Sequence, residues 1–212
     1  MTNAAMLRVA PEVVTRLVAA ACDMSPINGL THNFYRYPAR FSPQLVRAVI
    51  DTFTEPNDLV LDPFVGGGTT LVESLASGRH AIGADISSLA TFVSEVKTRL
   101  YSEEELQRLI RWAGRIGGDG FSIWTEVKRD DAYEDAGYMK HLDGVDTWRL
   151  KRCIERVLQG AKRLHDPRVE AFARCVTLRT AQWALNGRKK LPTINDFREM
   201  IVGSFFRPFS AH

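Results

Sequence analysis

The sequence lacks features that define several classes of protein. No apolar run approaches the roughly 20 residues needed to span a bilayer. The N-terminal stretch MTNAAMLRVAPEVVTRLVAAAC is amphipathic and interrupted by charge, which does not fit a secretory signal. The three cysteines, Cys22, Cys153 and Cys175, are scattered without metal-ligand spacing. We therefore expect a cytoplasmic protein with reduced thiols and without a metal site.

Net charge is also small, but it is distributed unevenly. The 212 residues carry 28 Lys and Arg against 25 Asp and Glu, and 45% of the residues are hydrophobic, which is typical of a globular protein. Residues 1–100 hold 8 basic and 9 acidic side chains, residues 101–150 hold 7 and 11, and residues 151–212 hold 13 and 5. The basic C-terminal third favours a polyanionic partner, although an ordinary solvated helical face explains it about equally well.

Apolar periodicity divides the chain near residue 100. Residues 43–100 alternate helix, strand, helix, strand and helix, with LVLD and HAIGAD as the strands, and this alternation predicts a parallel sheet with crossover helices. Both strands are short and apolar, so we expect each to be buried on both faces. Beyond residue 100 the pattern predicts only helices. The expected domains are thus 1–100 and a basic, helical region 101–212.

The stretch LVLDPFVGGGTT, Leu59 to Thr70, places three glycines between a strand and a helix. Glycines let the backbone approach a ligand closely, and a helix N-terminus leaves unpaired N–H groups directed at it. Asp85 closes the next strand, 23 residues after Asp62. An acid at that position can accept hydrogen bonds from ribose hydroxyls, so the arrangement predicts a nucleotide-type site.

The details of the loop narrow the choice of ligand. The G-x-x-x-x-G-K-[ST] phosphate loop is absent, and Leu71 stands where the dinucleotide fingerprint requires its third glycine. Asp62 at the strand end would repel a pyrophosphate and would suit a cationic or amino group. S-adenosylmethionine offers a sulfonium, an ammonium and a ribose.

The run LDPFVGGGTTLVESLASGRHAIGADIS closely resembles the cofactor motif of the DNA amino-methyltransferases, which make N6-methyladenine or N4-methylcytosine. The upstream HNFYRYPARFSPQLVRAVI is similar to the motif that precedes it there, so the resemblance covers roughly residues 30–100. It implies a partial Rossmann-like α/β fold that binds S-adenosylmethionine, and a role in DNA methylation and restriction–modification. The residues it implies for the cofactor pocket are Phe41, Pro43, Asp62, Pro63, Phe64, Gly66, Gly68, Thr69, Thr70, Asp85 and Ile86.

Within this set the resemblance gives Asp62 the methionine amino group and Asp85 the ribose. Phe41 and Pro43 would close the site from the other side. Phe41 and Phe64 could equally be core aromatics. His32 is expected to be structural.

The catalytic motif of that family, an acid, asparagine or serine followed by Pro-Pro and an aromatic, has no counterpart here, since the chain contains no Pro-Pro dipeptide. Only two strands are predicted, fewer than such a sheet usually has. We therefore expect part of a longer enzyme, a subunit completed by a partner, or a degenerate copy.

The sequence leaves three hypotheses about function open. The first is the cofactor-binding part of a site-specific DNA methyltransferase, with the catalytic motif supplied by a second subunit or a missing C-terminal segment. The second is a non-catalytic DNA-binding or interaction module, and the third is an enzyme that acts on RNA or a small molecule. The residues of the basic C-terminal helices expected to face DNA are Trp148, Trp183, Arg174, Arg179, Arg188, Lys189 and Lys190.

Overall fold

The computed structural model describes residues 9–27, 29–38, 40–125, 142, 144–186 and 190–206. The elements are α1 (Pro11–Ala21), a 3₁₀ turn (His32–Phe34), α2 (Pro43–Phe53), β1 (Leu59–Asp62), α3 (Thr69–Ala76), β2 (His80–Gly83), α4 (Ser88–Thr98), α5 (Glu103–Gly117), α6 (Trp148–Lys162), α7 (Pro167–Leu185) and α8 (Ile194–Phe206). They form two compact units, the first ending at Thr98 and the second beginning at Arg99.

The first unit is built on a parallel pair of strands. β1 and β2 pair in register from Leu59 opposite His80 to Asp62 opposite Gly83. Helix α3 makes the crossover between them and packs against both strands, while α2 and α4 pack against α3. The mixed α/β class and the parallel strand pair predicted from the sequence are confirmed.

The prediction that both strands are buried on both faces was wrong. Leu59 and Leu61 in β1 are 61% and 65% exposed, and Ile82, which pairs with Leu61, is 53% exposed. Alternate residues of a strand point to opposite faces, so these side chains form one open apolar face. Within the described part of the chain, the sheet is therefore covered on the α3 side only, although its apolar sequence predicted burial of both faces.

Local sequence explains where the helices begin. Ser42 accepts a hydrogen bond from the N–H of Leu45, and Pro43 follows it in the first turn of α2, where its missing N–H costs nothing. Ser102 and Glu105 form a reciprocal capping box at the start of α5, which satisfies two backbone donors.

Within its described residues, the regular secondary structure of the second unit is entirely helical. Its core contains Leu109, Trp112 and Ile116 of α5 and Phe197 and Ile201 of α8, all buried. Arg198 ties the two helices by donating to the carbonyls of Ile116 and Gly118 at 2.7 and 2.6 Å.

All three cysteines are free thiols, with Cys22 exposed and Cys153 and Cys175 buried. Burial raises the pKa of Cys153 to about 12, so its thiol stays protonated at neutral pH. None of the helices in the described ranges has both the length and the apolarity to cross a bilayer.

The open sheet face can be tested by stability. Leu61→Ala should lower the free energy of unfolding by less than about 1 kcal/mol, because an exposed side chain leaves no cavity. Ile50→Ala in α2, which removes a side chain that is only 3% exposed, should cost about 2–5 kcal/mol. Urea denaturation measures both, and an equal cost at the two positions would mean that the face is covered.

Candidate functional site

The candidate site lies at the carboxyl ends of the two strands. The N–H of Ala84 donates to the carbonyl of Asp62 at 2.9 Å, and the N–H of Val65 donates to the carbonyl of Ala84 at 2.9 Å. The backbone segments that follow β1 and β2 therefore remain hydrogen-bonded to each other beyond the strands. Asp62 Oδ1 accepts the N–H of Phe64 at 3.0 Å. This turn fixes the carboxylate at the strand end and leaves its other oxygen without a partner among the described residues.

Asp85 joins the second strand to the glycine loop. Its Oδ2 accepts the N–H of Gly66 at 2.9 Å, and its Oδ1 accepts the N–H of Ser87 at 2.9 Å. These backbone hydrogen bonds, with that of Ser87 the stronger influence, lower the pKa of Asp85, because they stabilise the charged form. Asp85 is therefore an ionised acceptor at neutral pH, and each oxygen retains a lone pair for another donor.

The three loop glycines are required by geometry. Gly66 and Gly68 have φ values of 47° and 76°, which favour glycine. A Cβ on Gly67 would lie 2.8 Å from Cβ of Tyr37, and a Cβ on Gly68 would lie 2.8 Å from Ser94 Oγ. The loop is thus packed between the Tyr37 segment and α4, with no room for a side chain on either glycine.

Two buried polar residues of α4 hold the carbonyls of this loop. Ser94 Oγ donates to the carbonyl of Gly66 at 3.2 Å, and Lys97 Nζ donates to that of Gly67 at 2.8 Å. The two residues are one helical turn apart, so they present donors in line along one face. The carbonyl of Lys97 in turn accepts the hydroxyl of Thr31 at 2.8 Å, which links the upstream segment to the same helix.

The start of α3 offers free donors next to the loop. Its N-cap is Gly68, which has no side chain to cap the helix. Within the described residues, the N–H groups of Thr69, Thr70 and Leu71 have no hydrogen-bond partner, whereas Val72 already donates to Gly68. Unpaired donors at a helix N-terminus carry partial positive charge and suit an electron-rich group of a ligand.

Exposed apolar side chains follow each acid along the chain, and Phe41 upstream of α2 is exposed as well. Phe64 is 81% exposed, Phe41 is 63% exposed and Ile86 is fully exposed. The exposure of the two phenylalanines excludes the alternative that they are core aromatics. Pro43 is buried at the start of α2 and Pro63 is exposed beside Asp62. The strand ends therefore present two carboxylates flanked by apolar surface.

A buried ion-pair network anchors the segment upstream of α2. His32 Nε2 lies 2.7 Å from Glu73 Oε1, and Arg47 Nε donates to Glu73 Oε2 at 2.6 Å. Burial would raise the pKa of Glu73, but the hydrogen bond from His32 and the charge of Arg47 together lower it. His32 is itself buried and its carbonyl accepts Arg40 Nη1 at 3.1 Å, which agrees with a structural role.

The basic residues predicted to contact DNA are only partly accessible to solvent. Arg174 and Arg179 lie half-buried on α7, and their Nε atoms are shielded from solvent. Lys190 is exposed, whereas Arg188 and Lys189 lie outside the described residues. The DNA contact of this set stays a prediction.

The sequence motifs did not point to Tyr37, Ser94, Lys97 or Glu73 as contributors to the site. One pattern could have found two of them. Ala90, Val93, Ser94 and Lys97 follow the spacing of a single helical face, and all four are buried. A lysine and a serine on an apolar face need polar partners, and the nearby carbonyl-rich glycine loop supplies them.

The chain resembles known proteins over part of its length. Residues 21–91 match the family described as DNA methylase. Together with relatives named as type II methyltransferases, this match supports the resemblance of the segment to the DNA amino-methyltransferases that its motifs predicted.

The relatives are considerably longer than the matched region. The chain is 35% identical over 79 residues to the type II methyltransferase M.MjaII of Methanocaldococcus jannaschii, which covers 37% of this chain and 15% of that protein. It is 38% identical over 84 residues to M.MvaI of Kocuria varians, with 38% and 18% covered. The DNA adenine methyltransferase YhdJ of Escherichia coli is 33% identical over 92 residues, with 41% and 31% covered. No solved structure matches the chain.

The Glu73 network predicts a pH-dependent stability. A carboxyl whose pKa is lowered in the folded state stabilises the fold above its unfolded pKa of about 4.3, and this contribution is lost as the pH falls through the folded pKa. Glu73→Gln should therefore lower the free energy of unfolding by about 3 kcal/mol at neutral pH, and by less below pH ~4. Urea denaturation across this pH range measures the effect.

The matched control is Glu12→Gln on α1, because Glu12 is exposed and should show no comparable loss at either pH. A Glu73→Gln deficit that stays constant from neutral pH to pH ~3 would contradict the assigned ion pairs.

Proposed function

We propose that the first unit binds S-adenosylmethionine and acts as the cofactor-binding part of a DNA amino-methyltransferase with a Rossmann-like fold. The observation that carries this proposal is the arrangement at the strand ends, where Asp62 has an unpartnered carboxylate oxygen beside the glycine loop and Asp85 is tied to that loop through Gly66. Both acids belong to the segment that matches the family.

The residues present fit the chemistry of this cofactor. The free oxygen of Asp62 suits an ammonium group, and the ionised Asp85 suits ribose hydroxyls. Exposed Phe64 and Ile86 can cover the faces of an adenine, and the free N–H groups of Thr69 and Thr70 can meet a carboxylate. When bound, the cofactor supplies an electrophilic methyl group.

The methyl transfer itself needs groups that we do not assign to this chain. Its target would be an exocyclic amine of adenine or cytosine, which must leave the base stack to be reached. Because the sequence has no Pro-Pro-aromatic motif, we propose that a second subunit or a further segment positions that amine. The role of the described residues is then to bind and orient the methyl donor.

A second candidate is a non-catalytic DNA-binding or interaction module derived from such an enzyme. The same lack of a Pro-Pro motif favours it, together with the 13 basic residues in 151–212. The two candidates differ in one property, because only the first requires binding of the cofactor.

Calorimetric titration with S-adenosylmethionine tests the proposal. Wild-type protein should bind, and Asp62→Asn should weaken binding about tenfold to 100-fold, the expected loss for a hydrogen bond to a charged group. Asp51→Asn, on an exposed position of α2, is the matched control and should bind as wild type. A folded wild-type chain that does not bind would reject the first candidate and favour the second.

The α4 contacts give a separate prediction for the same titration. Lys97→Met and Ser94→Ala should each weaken cofactor binding about tenfold or more, because each frees a loop carbonyl that the buried donor holds. Lys97→Arg should recover part of the affinity, since it keeps a charged donor.

Thr91→Ala, on the exposed side of α4, is the control and should leave the affinity unchanged. Cofactor affinity equal to wild type in folded Lys97→Met protein would show that the loop does not depend on this contact.

A further inference from the structure

Two exposed tryptophans of the second unit lie side by side, although 24 positions separate them. Trp124 is 71% exposed and Trp148, at the start of α6, is 38% exposed. Their ring centroids are 5.6 Å apart with the planes inclined by 55°. The guanidinium carbon of Arg149 lies 5.4 Å from the centroid of the Trp148 ring. The three side chains define what we call the Trp124 cluster.

The cluster differs from the other aromatic residues of this unit. Trp112 is buried in the core, where a tryptophan is expected to contribute to stability. Trp124 and Trp148 instead keep large apolar surfaces in contact with water. Exposed aromatic patches of this kind mark interaction sites more often than they mark structural features.

Arg149 also differs from its neighbours in what it binds. Arg108 pairs with Asp166 at 2.9 Å, Arg168 pairs with Glu105 at 2.8 Å, and Arg152 lies 3.6 Å from Glu155. Arg149 is exposed and has no carboxylate partner among the described residues. Its donors thus remain available to an anion while its plane lies over Trp148.

Flat aromatic faces beside a free guanidinium are suited to a ligand that is planar and anionic. Nucleic acid combines these properties, because every base offers a π-face and every linkage a phosphate. In a duplex the base faces are covered by their neighbours, so an aromatic platform selects unpaired bases. The charge of the region agrees, since α6 carries Arg149, Lys151, Arg152, Arg156 and Lys162 against a single acid, Glu155.

We propose that the Trp124 cluster binds an unpaired base of a nucleic acid strand, by stacking on the tryptophans, with Arg149 holding an adjacent phosphate. The choice of nucleic acid over another polyanion rests on the proposed function. Of the residues that the sequence predicted to face DNA, this surface includes Trp148, whereas Trp124 and Arg149 were not among them.

Fluorescence anisotropy with a short fluorescein-labelled oligothymidylate at low salt tests this proposal on the full chain. Trp124→Ala and Trp148→Ala should each weaken binding about tenfold, the loss expected for one stacked base. Trp124→Phe should restore most of the affinity, because it keeps an aromatic face. Since Trp124 is 71% exposed, the melting temperature of Trp124→Ala should stay near that of wild type, which separates lost binding from unfolding.

Charge is controlled by comparing two arginines of the same helix region. Arg149→Gln should weaken binding more than Arg163→Gln, although both remove one positive charge from an exposed position. An unlabelled duplex of the same length should compete poorly with the single strand.

Three results would overturn the proposal. The first is that folded wild-type protein does not bind the single strand. The second is that the alanine variants bind it with the same affinity as wild type. The third is that polyglutamate competes as effectively as nucleic acid, which would assign the surface to an acidic polypeptide. Titration with S-adenosylmethionine reports on the first unit separately, so its failure and the failure of this cluster are distinguishable.

Discussion

The first unit depends on how the backbone of the glycine loop is held at the ends of β1 and β2. Asp85 binds the N–H of Gly66, while Ser94 and Lys97 bind the carbonyls of Gly66 and Gly67. Because these contacts use groups on both sides of the loop, its conformation is fixed before any ligand arrives. A pre-formed site avoids the entropic cost of ordering a loop on binding.

The same arrangement explains why the upstream segment matters. Tyr37 packs on the loop from one side and α4 packs on it from the other. Neighbouring atoms therefore occupy the space that a side chain at Gly67 or Gly68 would need. The hydrogen bond between Glu73 and His32 and the ion pair of Glu73 with Arg47 hold the upstream segment and α2 on α3. The family match, which spans residues 21–91, thus covers the upstream segment, the loop and Asp85, and it ends within α4.

The first unit leaves one apolar face of its sheet uncovered. Parallel sheets are normally covered on both faces, whereas Leu59, Leu61 and Ile82 are exposed here. The matched region makes up 15% of M.MjaII and 18% of M.MvaI, so those proteins are much longer than the matched region. Our proposal that further protein completes the enzyme agrees with the open apolar face on the two strands that lead to the candidate site.

Much of the fold followed from local sequence. The strand LVLD and the helix that begins at Pro43 lie where the apolar pattern predicted them. Burial of the strands was predicted wrongly, because an apolar run indicates a strand but does not reveal which elements cover it. The two acids and the glycines of the site followed from motif spacing. Lys97 and Glu73 did not, since their partners lie 30 and 41 positions away, at Gly67 and His32, and only the folded chain brings them together.

The most direct test of the central claim is an amide-resolved NMR titration of the full chain with S-adenosylmethionine. The account predicts that chemical-shift changes concentrate at residues 62–70 and 85–87, where the strand ends, the glycine loop and the first turn of α3 meet. The absence of shifts at saturating cofactor, or shifts confined to the helices beyond Arg99, would contradict it.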